Sequence, residues 1–202
     1  MARVKADQGG SELMVRLVDE GAKILVAEGA GGISLRKVAA AAGVSTMPVY
    51  TLFGDKRGLL LAMHREGFQR LGAALRSVPE TDNPLAHLGL LGLAYRDAAL
   101  ASPNLYGLMF GHEVGAVEPD EQGRSAAEAA YRPLVEGVIR CQEAGMLVGG
   151  DPERIALHLW AVAHGMVSLE INGKLPQLGS LEDLYVQALH NAAAPFLSVD
   201  QA

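Results

Sequence analysis

Leu13, Leu17, Gly21, Ile24 and Leu25 recur at the three- and four-residue spacing of one helix face, with mostly polar residues between them. Ser11 stands where it can cap this first helix, and the run Gly29–Gly32 stops it. The same period returns in Leu35, Val38, Ala39 and Ala42, a short helix that Ser34 caps and Gly43 ends. Ser45 then opens a third helix from Thr46 to about Phe53, and a longer one follows from about Asp55 to Arg76. Its apolar set is Leu59, Leu60, Met63, Phe68, Leu71 and Leu75. The stretch Ser77–Pro84 carries two prolines beside Asp82 and Asn83 and reads as a joint. Beyond it the pattern predicts helices near 84–101, 103–111, 122–145, 152–172 and 181–197, with loops at Gly111–Glu121 and Asn172–Ser180. No run alternates in the manner of a half-buried strand. The predicted fold is therefore all-α, with about nine helices. It divides into an N-terminal arm (1–10), a three-helix module (11–56) and a larger helical domain (57–202).

The short helices flanking Gly43 are the first hint of function. Two helices joined by a tight glycine turn let one brace across a DNA backbone while the other enters the major groove. Ala39, Ala40, Ala41 and Ala42 keep the approach close, and Val38 and Val44 can pin the turn to a shared core. By pattern alone the unit is equally a plain helical hairpin. Pro48 is compatible with the third helix because, counted from Ser45, it falls at the third helical position, where an N–H has no partner within the helix. Ser45 is then expected to cap the amide of Met47. Read as a recognition helix, the segment points Thr46, Met47, Pro48 and Thr51 at base edges, a weakly polar set suited to thymine methyls. It carries no Arg or Lys, so affinity must come from phosphate contacts around it: Arg36, Lys37, Tyr50 and Lys56. Lys56 lies in the first turn of a helix whose amides can also face a phosphate. Ser34 and Ser45, at the starts of the two short helices, complete this candidate interface. Arg3 and Lys5 lie on a flexible tail that either reaches the minor groove or, the favoured reading, is simply solvated.

Charge supports that division of labour. The 202 residues carry a net charge of -6, which would oppose phosphate binding if evenly spread. It is not: residues 1–76 hold 11 Lys or Arg against 7 Asp or Glu, whereas residues 77–202 hold 6 against 16. A basic module facing a polyanion and an acidic remainder facing away is the reading that follows. The single cysteine, Cys141, precludes an internal disulfide and fits a reducing compartment. Met1–Gly10 lacks the apolar core of a secretion signal and no apolar run reaches the length of a membrane span, so a cytoplasmic protein without membrane association is expected.

Gly43-Val44-Ser45 followed by Tyr50, Phe53, Lys56, Leu59 and Leu60 resembles the helix-turn-helix signature of the TetR family of bacterial repressors. Glu28-Gly29 and the run from Ser34 to Ala39 fit the same pattern, and the resemblance spans about residues 13–61. It implies a homodimer on a palindromic double-stranded operator, with Tyr50 and Lys56 on phosphates, Thr46, Met47, Pro48 and Thr51 facing bases, and the last two long helices forming the dimer interface. Two departures are Gly54-Asp55, which sets an acid beside Lys56 but can cap the fourth helix, and Met47, where a small residue is common.

Farther on, Trp160-Ala161-Val162-Ala163-His164-Gly165 resembles the Trp-His-Gly signature of one C-terminal subgroup of that family. Trp160 and His164 share a helix face. They are either core residues or, with Tyr106, Met109, Phe110 and Tyr131, the lining of a pocket for a small, largely apolar effector. The family likeness implies that the 103–111 helix couples such a pocket to the DNA-binding module. Catalysis finds no support: His87, His112, Glu113, Cys141, His158, His164 and Glu170 form no metal-binding or nucleophile pattern, so no catalytic residue, metal or cofactor is expected. The remaining alternative is a non-catalytic architectural or protein-binding helical module.

Overall fold

The structure, a computed structural model, describes residues 2–110 and 118–199. Its helices are α1 (Ala2–Gly32), α2 (Leu35–Ala41), α3 (Thr46–Phe53), α4 (Lys56–Arg76), α5 (Pro84–Ala101), α6 (Pro103–Phe110), α7 (Glu121–Glu143), α8 (Pro152–Ile171) and α9 (Leu181–Ala193), followed by a 3₁₀ turn at Ala194–Phe196. Among the described residues the only β pairing is a bridge between Leu147 and Leu197. Helix α1 reaches back beyond Ser11, which lies inside it and does not mark its start. The side chains of Arg3 and Lys5, and residues 111–117 of the expected Gly111–Glu121 loop, lie outside the described part. At the other end Gly29 breaks α1 with φ 69°, a left-handed conformation that glycine reaches without steric penalty.

Capping chemistry accounts for most other helix starts. Ser34, extended at φ -150°, accepts the amide of Lys37; Asn83 accepts those of Leu85 and Ala86; Asp151 accepts that of Glu153; Ser180 accepts that of Asp183. Helix α2 ends in a paired closure, Val44 N–H to the Ala39 carbonyl and Gly43 N–H to the Ala40 carbonyl, with Gly43 at φ 65°.

The chain forms two compact units, residues 1–69 with 104–127, and 70–103 with 128–202. The core of the first comprises Leu17, Val18, Ala22, Leu25, Ile33, Leu35, Val38, Ala39, Val49, Phe53, Leu59, Leu60, Ala62 and Met63, joined by Leu105 and Leu108 of α6. Each fully buried aliphatic side chain there contributes on the order of 1.5–3 kcal/mol of transfer free energy.

The second unit is built on α8, which packs against α9 and α5. Tyr185 is fully buried in it and donates its hydroxyl to the Gly92 carbonyl at 2.8 Å. Pro133, inside α7, cannot supply the amide that the Ala129 carbonyl would normally receive; Arg76 Nη1 reaches that carbonyl instead, at 3.4 Å. After α9 the chain returns beside the 146–148 segment, with Val148 N–H on the Phe196 carbonyl and Ser198 N–H on the Met146 carbonyl.

Candidate functional site

Helix α3 owes its orientation to Val49 and Phe53, four residues apart and buried in the first unit's core. Thr46, Met47, Tyr50 and Thr51 are consequently exposed together, and Pro48 is partly covered. Met47 is 74% exposed. The Thr51 hydroxyl donates back to the Met47 carbonyl at 3.0 Å. Ser45 makes no side-chain capping bond, contrary to the expected bond to the Met47 amide. The position that Ser34 uses is closed to Ser45 as well. Ser34 caps the third amide of its helix, at Lys37, and the equivalent residue after Ser45 is Pro48, which has no N–H to offer.

The cations around α3 differ in their surroundings. Arg36 is exposed, and Lys37, also exposed, pairs with Glu28 across the turn from α1. Such a surface pair is worth little in water, so it yields readily to a phosphate. Lys56 and Arg57 open α4, and the exposed Arg57 was not singled out by sequence reasoning although it sits directly beside Lys56. Asp55 caps α4 by accepting the Gly58 amide at 2.8 Å. That amide is therefore taken, which narrows the expected role of the α4 terminus as a phosphate cradle to its first amides. Gly54, at φ 71°, turns the chain between α3 and α4.

The six candidate effector residues are divided between the two units. Tyr106, Met109 and Phe110 belong to the first unit, and Tyr131, Trp160 and His164 to the second. Around α6 the Tyr106 and Phe110 rings lie 4.9 Å apart, Phe110 meets Phe68 at 5.4 Å, and Phe68 meets His64 at 5.0 Å. Gly67 leaves room for Met109, whose sulfur would stand 2.5 Å from any Cβ placed there. Burial lowers the His64 pKa, with Asp120 opposing. His64 and Phe68, four apart on α4, are contributors that the apolar periodicity alone did not separate from core.

In the second unit Trp160 Nε1 donates to the Tyr95 hydroxyl at 3.2 Å, and that hydroxyl lies 3.3 Å from His164 Nδ1. His164 Nε2 lies 3.4 Å from Ser168 Oγ. The neutral Nε2–H tautomer satisfies this chain, with Tyr95 donating to Nδ1 and Nε2 donating to Ser168. The Tyr131 ring stands 5.7 Å from Trp160, and its hydroxyl donates to the Glu153 carbonyl. Nearby, Arg96 grips Glu170 through two bonds of 2.8 and 2.6 Å and lies over the Tyr185 ring. Tyr95, Ser168, Arg96 and Tyr185 were absent from the sequence-derived candidates, and Glu170 was weighed there only as a catalytic group. Trp160 and His164 thus spend polar atoms on protein partners.

Burial holds the His164 pKa below its ordinary value. The unfolded chain therefore binds more protons in mildly acidic solution, and stability present near neutral pH falls as pH drops through the unfolded histidine value. Thermal unfolding followed from pH 7.5 to 5.5 should show a declining midpoint, the decline smaller in His164→Gln; a flat profile would contradict the buried neutral imidazole.

Known proteins place this geometry. A family model described as "Bacterial regulatory proteins, tetR family" matches residues 17–63, and one described as "Tetracyclin repressor-like, C-terminal domain" matches residues 88–192. Neither description names a Trp-His-Gly subgroup. No curated protein sequence matches the chain. Among solved structures, a protein of unknown function from Rhodococcus sp. RHA1 is 31% identical, with 92% of this chain and 96% of that chain covered and a TM-score of 0.79. The fold is shared by the TetR family transcriptional regulator PfmR from Thermus thermophilus (18% identity, 89% and 97% covered, TM-score 0.71). It is shared also by the fatty acid degradation regulator FadR from Bacillus halodurans (16%, 89% and 94%, TM-score 0.74). Regulators of this kind bind operator DNA and small-molecule effectors and dimerise. With matched segments covering both the helix-turn-helix and most of the second unit, the chain belongs to the TetR family of DNA-binding transcriptional regulators.

Proposed function

We propose that the chain is a homodimeric repressor in which residues 11–56 bind DNA and residues 57–202 bind an effector and dimerise, with 1–10 as an arm. Two copies set their α3 helices in successive major grooves of a palindromic operator, about 34 Å apart. Arg36, Lys37, Tyr50 and Lys56 hold phosphates, Ser34 and Ser45 order the two helix starts, and Thr46, Met47, Pro48 and Thr51 face bases. Its role is regulatory rather than catalytic, and it acts in the cytoplasm; no helix among the described residues is long and apolar enough to cross a membrane.

The observation that carries effector control is the position of α6. Leu105 and Leu108 are buried in the same core as Val38 and Val49 of the DNA-binding helices and Met63 of α4, while Tyr106, Met109 and Phe110 of the same short helix are candidate effector contacts. A small apolar guest that displaces Phe110 or Met109 must move Leu105 and Leu108 with them, because packed cores shift between discrete arrangements rather than deforming smoothly. The effector then favours a conformer whose recognition helices no longer match the operator. Tyr131, Trp160 and His164, all of the second unit, are a separate set of proposed effector contacts, and binding there is read by the fluorescence of Trp160, the only tryptophan.

A reporter driven by the promoters flanking the coding region tests the proposal. Expression should fall when the chain is supplied and recover with Lys56→Ala. Expression unchanged by the wild-type chain would remove the repressor reading, and raised expression would make the protein an activator.

A further inference from the structure

We infer that α3 reads its operator through the C5-methyl groups of thymine, with Met47 as the specificity-determining side chain. The inference rests on the proposed placement of α3 in the major groove and deepens it by naming the base chemistry.

The hydrogen-bonding routes to a base edge are nearly absent from this helix. Paired donor–acceptor readout of guanine and adenine uses Arg, Lys, Asn or Gln, and readout of cytosine uses Asp or Glu. From Ser45 to Gly54 the chain has none of these residues. Two hydroxyls stand on the base-facing set, those of Thr46 and Thr51, and the Thr51 proton is spent on the Met47 carbonyl at 3.0 Å, which leaves Thr46 with a single short polar contact to offer. Between Thr46 and Thr51 the exposed surface is led by Met47, 74% exposed, with the Pro48 ring beside it. A thioether that exposed gains only if it meets an apolar group, and thymine's methyl is the apolar group that unmodified base pairs present in the major groove. Cations before and after the helix, at Arg36, Lys37, Lys56 and Arg57, supply phosphate attraction that carries no sequence information. Affinity and base choice are thereby separated: charge outside α3, methyl contact on it.

The test begins by selecting duplexes from a random library with the full-length chain. The selected duplex is then remade with deoxyuridine replacing the half-site thymines, one symmetric pair at a time. Anisotropy is measured for wild type, Met47→Ala and Lys56→Ala. One buried methyl is worth roughly fourfold in affinity, so at the contacted pair the wild type should lose about fourfold for each of the two half-sites. Met47→Ala, a change at an exposed position, should bind the thymine duplex more weakly and lose little more on deoxyuridine. Lys56→Ala should weaken binding to both duplexes and keep the wild-type deoxyuridine penalty.

A wild type indifferent to deoxyuridine at every position, or a penalty as large in Met47→Ala as in wild type, overturns the inference while leaving operator binding intact. Enrichment of no sequence at all overturns both the inference and the repressor reading beneath it.

Discussion

Gly58→Ala is expected to destabilise the chain by about 2 kcal/mol, although alanine is the better helix former. At an open helical position the exchange gains up to about 1 kcal/mol. At Gly58 a Cβ would stand 2.0 Å from the carbonyl oxygen of Phe53 and 3.1 Å from its carbon. Both are backbone atoms, so no rotamer change relieves the clash. The turn between α3 and α4 must move, and with it Phe53, Leu59 and Leu60 in the shared core. Overpacking of this kind costs roughly 1–3 kcal/mol, and a forced backbone shift places it at or above the upper end. Gly89, exposed on α5 with nothing within 4 Å of an added Cβ, is the control. Denaturant unfolding should show Gly89→Ala slightly more stable than wild type and Gly58→Ala clearly less. Equal and small effects of the two would contradict the tight α3–α4 turn.

Glu170→Ala is expected to cost more, about 3 kcal/mol, because it strands a guanidinium away from water. The side chains of Arg96 and Glu170 are only 12% and 10% exposed, and their two-bond geometry is what offsets the desolvation of both ions. Hydrogen bonding to Glu170 is the main reason the Arg96 pKa is raised further. For a chain of this length that loss corresponds to a fall of roughly 10 °C in Tm. Replacing both partners with methionine should be much milder than Glu170→Ala, since no unpaired charge remains. A double variant as damaged as the single one would mean that shape, not charge pairing, matters here. The exposed pair of Lys23 with Glu20 has no comparable effect to lose.

What was readable from sequence, and what was not, follows from distance along the chain. Helix starts after Ser34, Asn83 and Ser180 are decided within three residues, and the turn at Gly43 within five, so the periodic pattern, Ser34 as a cap and the loop residues before Pro84 and Leu181 located them. Pro48 removes the third amide after Ser45, an equally local signal, but the bond that was then expected to the Met47 amide is not made. By contrast, Trp160 meets Tyr95 across 65 residues and Arg96 meets Glu170 across 74. No spacing rule on one helix announces such a partner. The same holds for Leu105 and Leu108, whose apolar character was plain but whose membership of the DNA-binding core was not. The uncharged character of α3 was legible from its residue types, and the burial of Val49 and Phe53 on the opposite side shows how it is presented.

The most direct measurement is binding of the full-length chain to DNA flanking its own coding region, by anisotropy at low and near-physiological salt, with Tyr50→Phe and Lys56→Ala alongside. Tight, sequence-selective binding should weaken with salt, and Lys56→Ala should lower the slope of log affinity against log salt by about 2, one contact for each half-site. Tyr50→Phe should weaken binding without changing that slope. Binding that ignores sequence, salt and both substitutions would contradict the assignment of α3 and the start of α4 as the operator-reading surface.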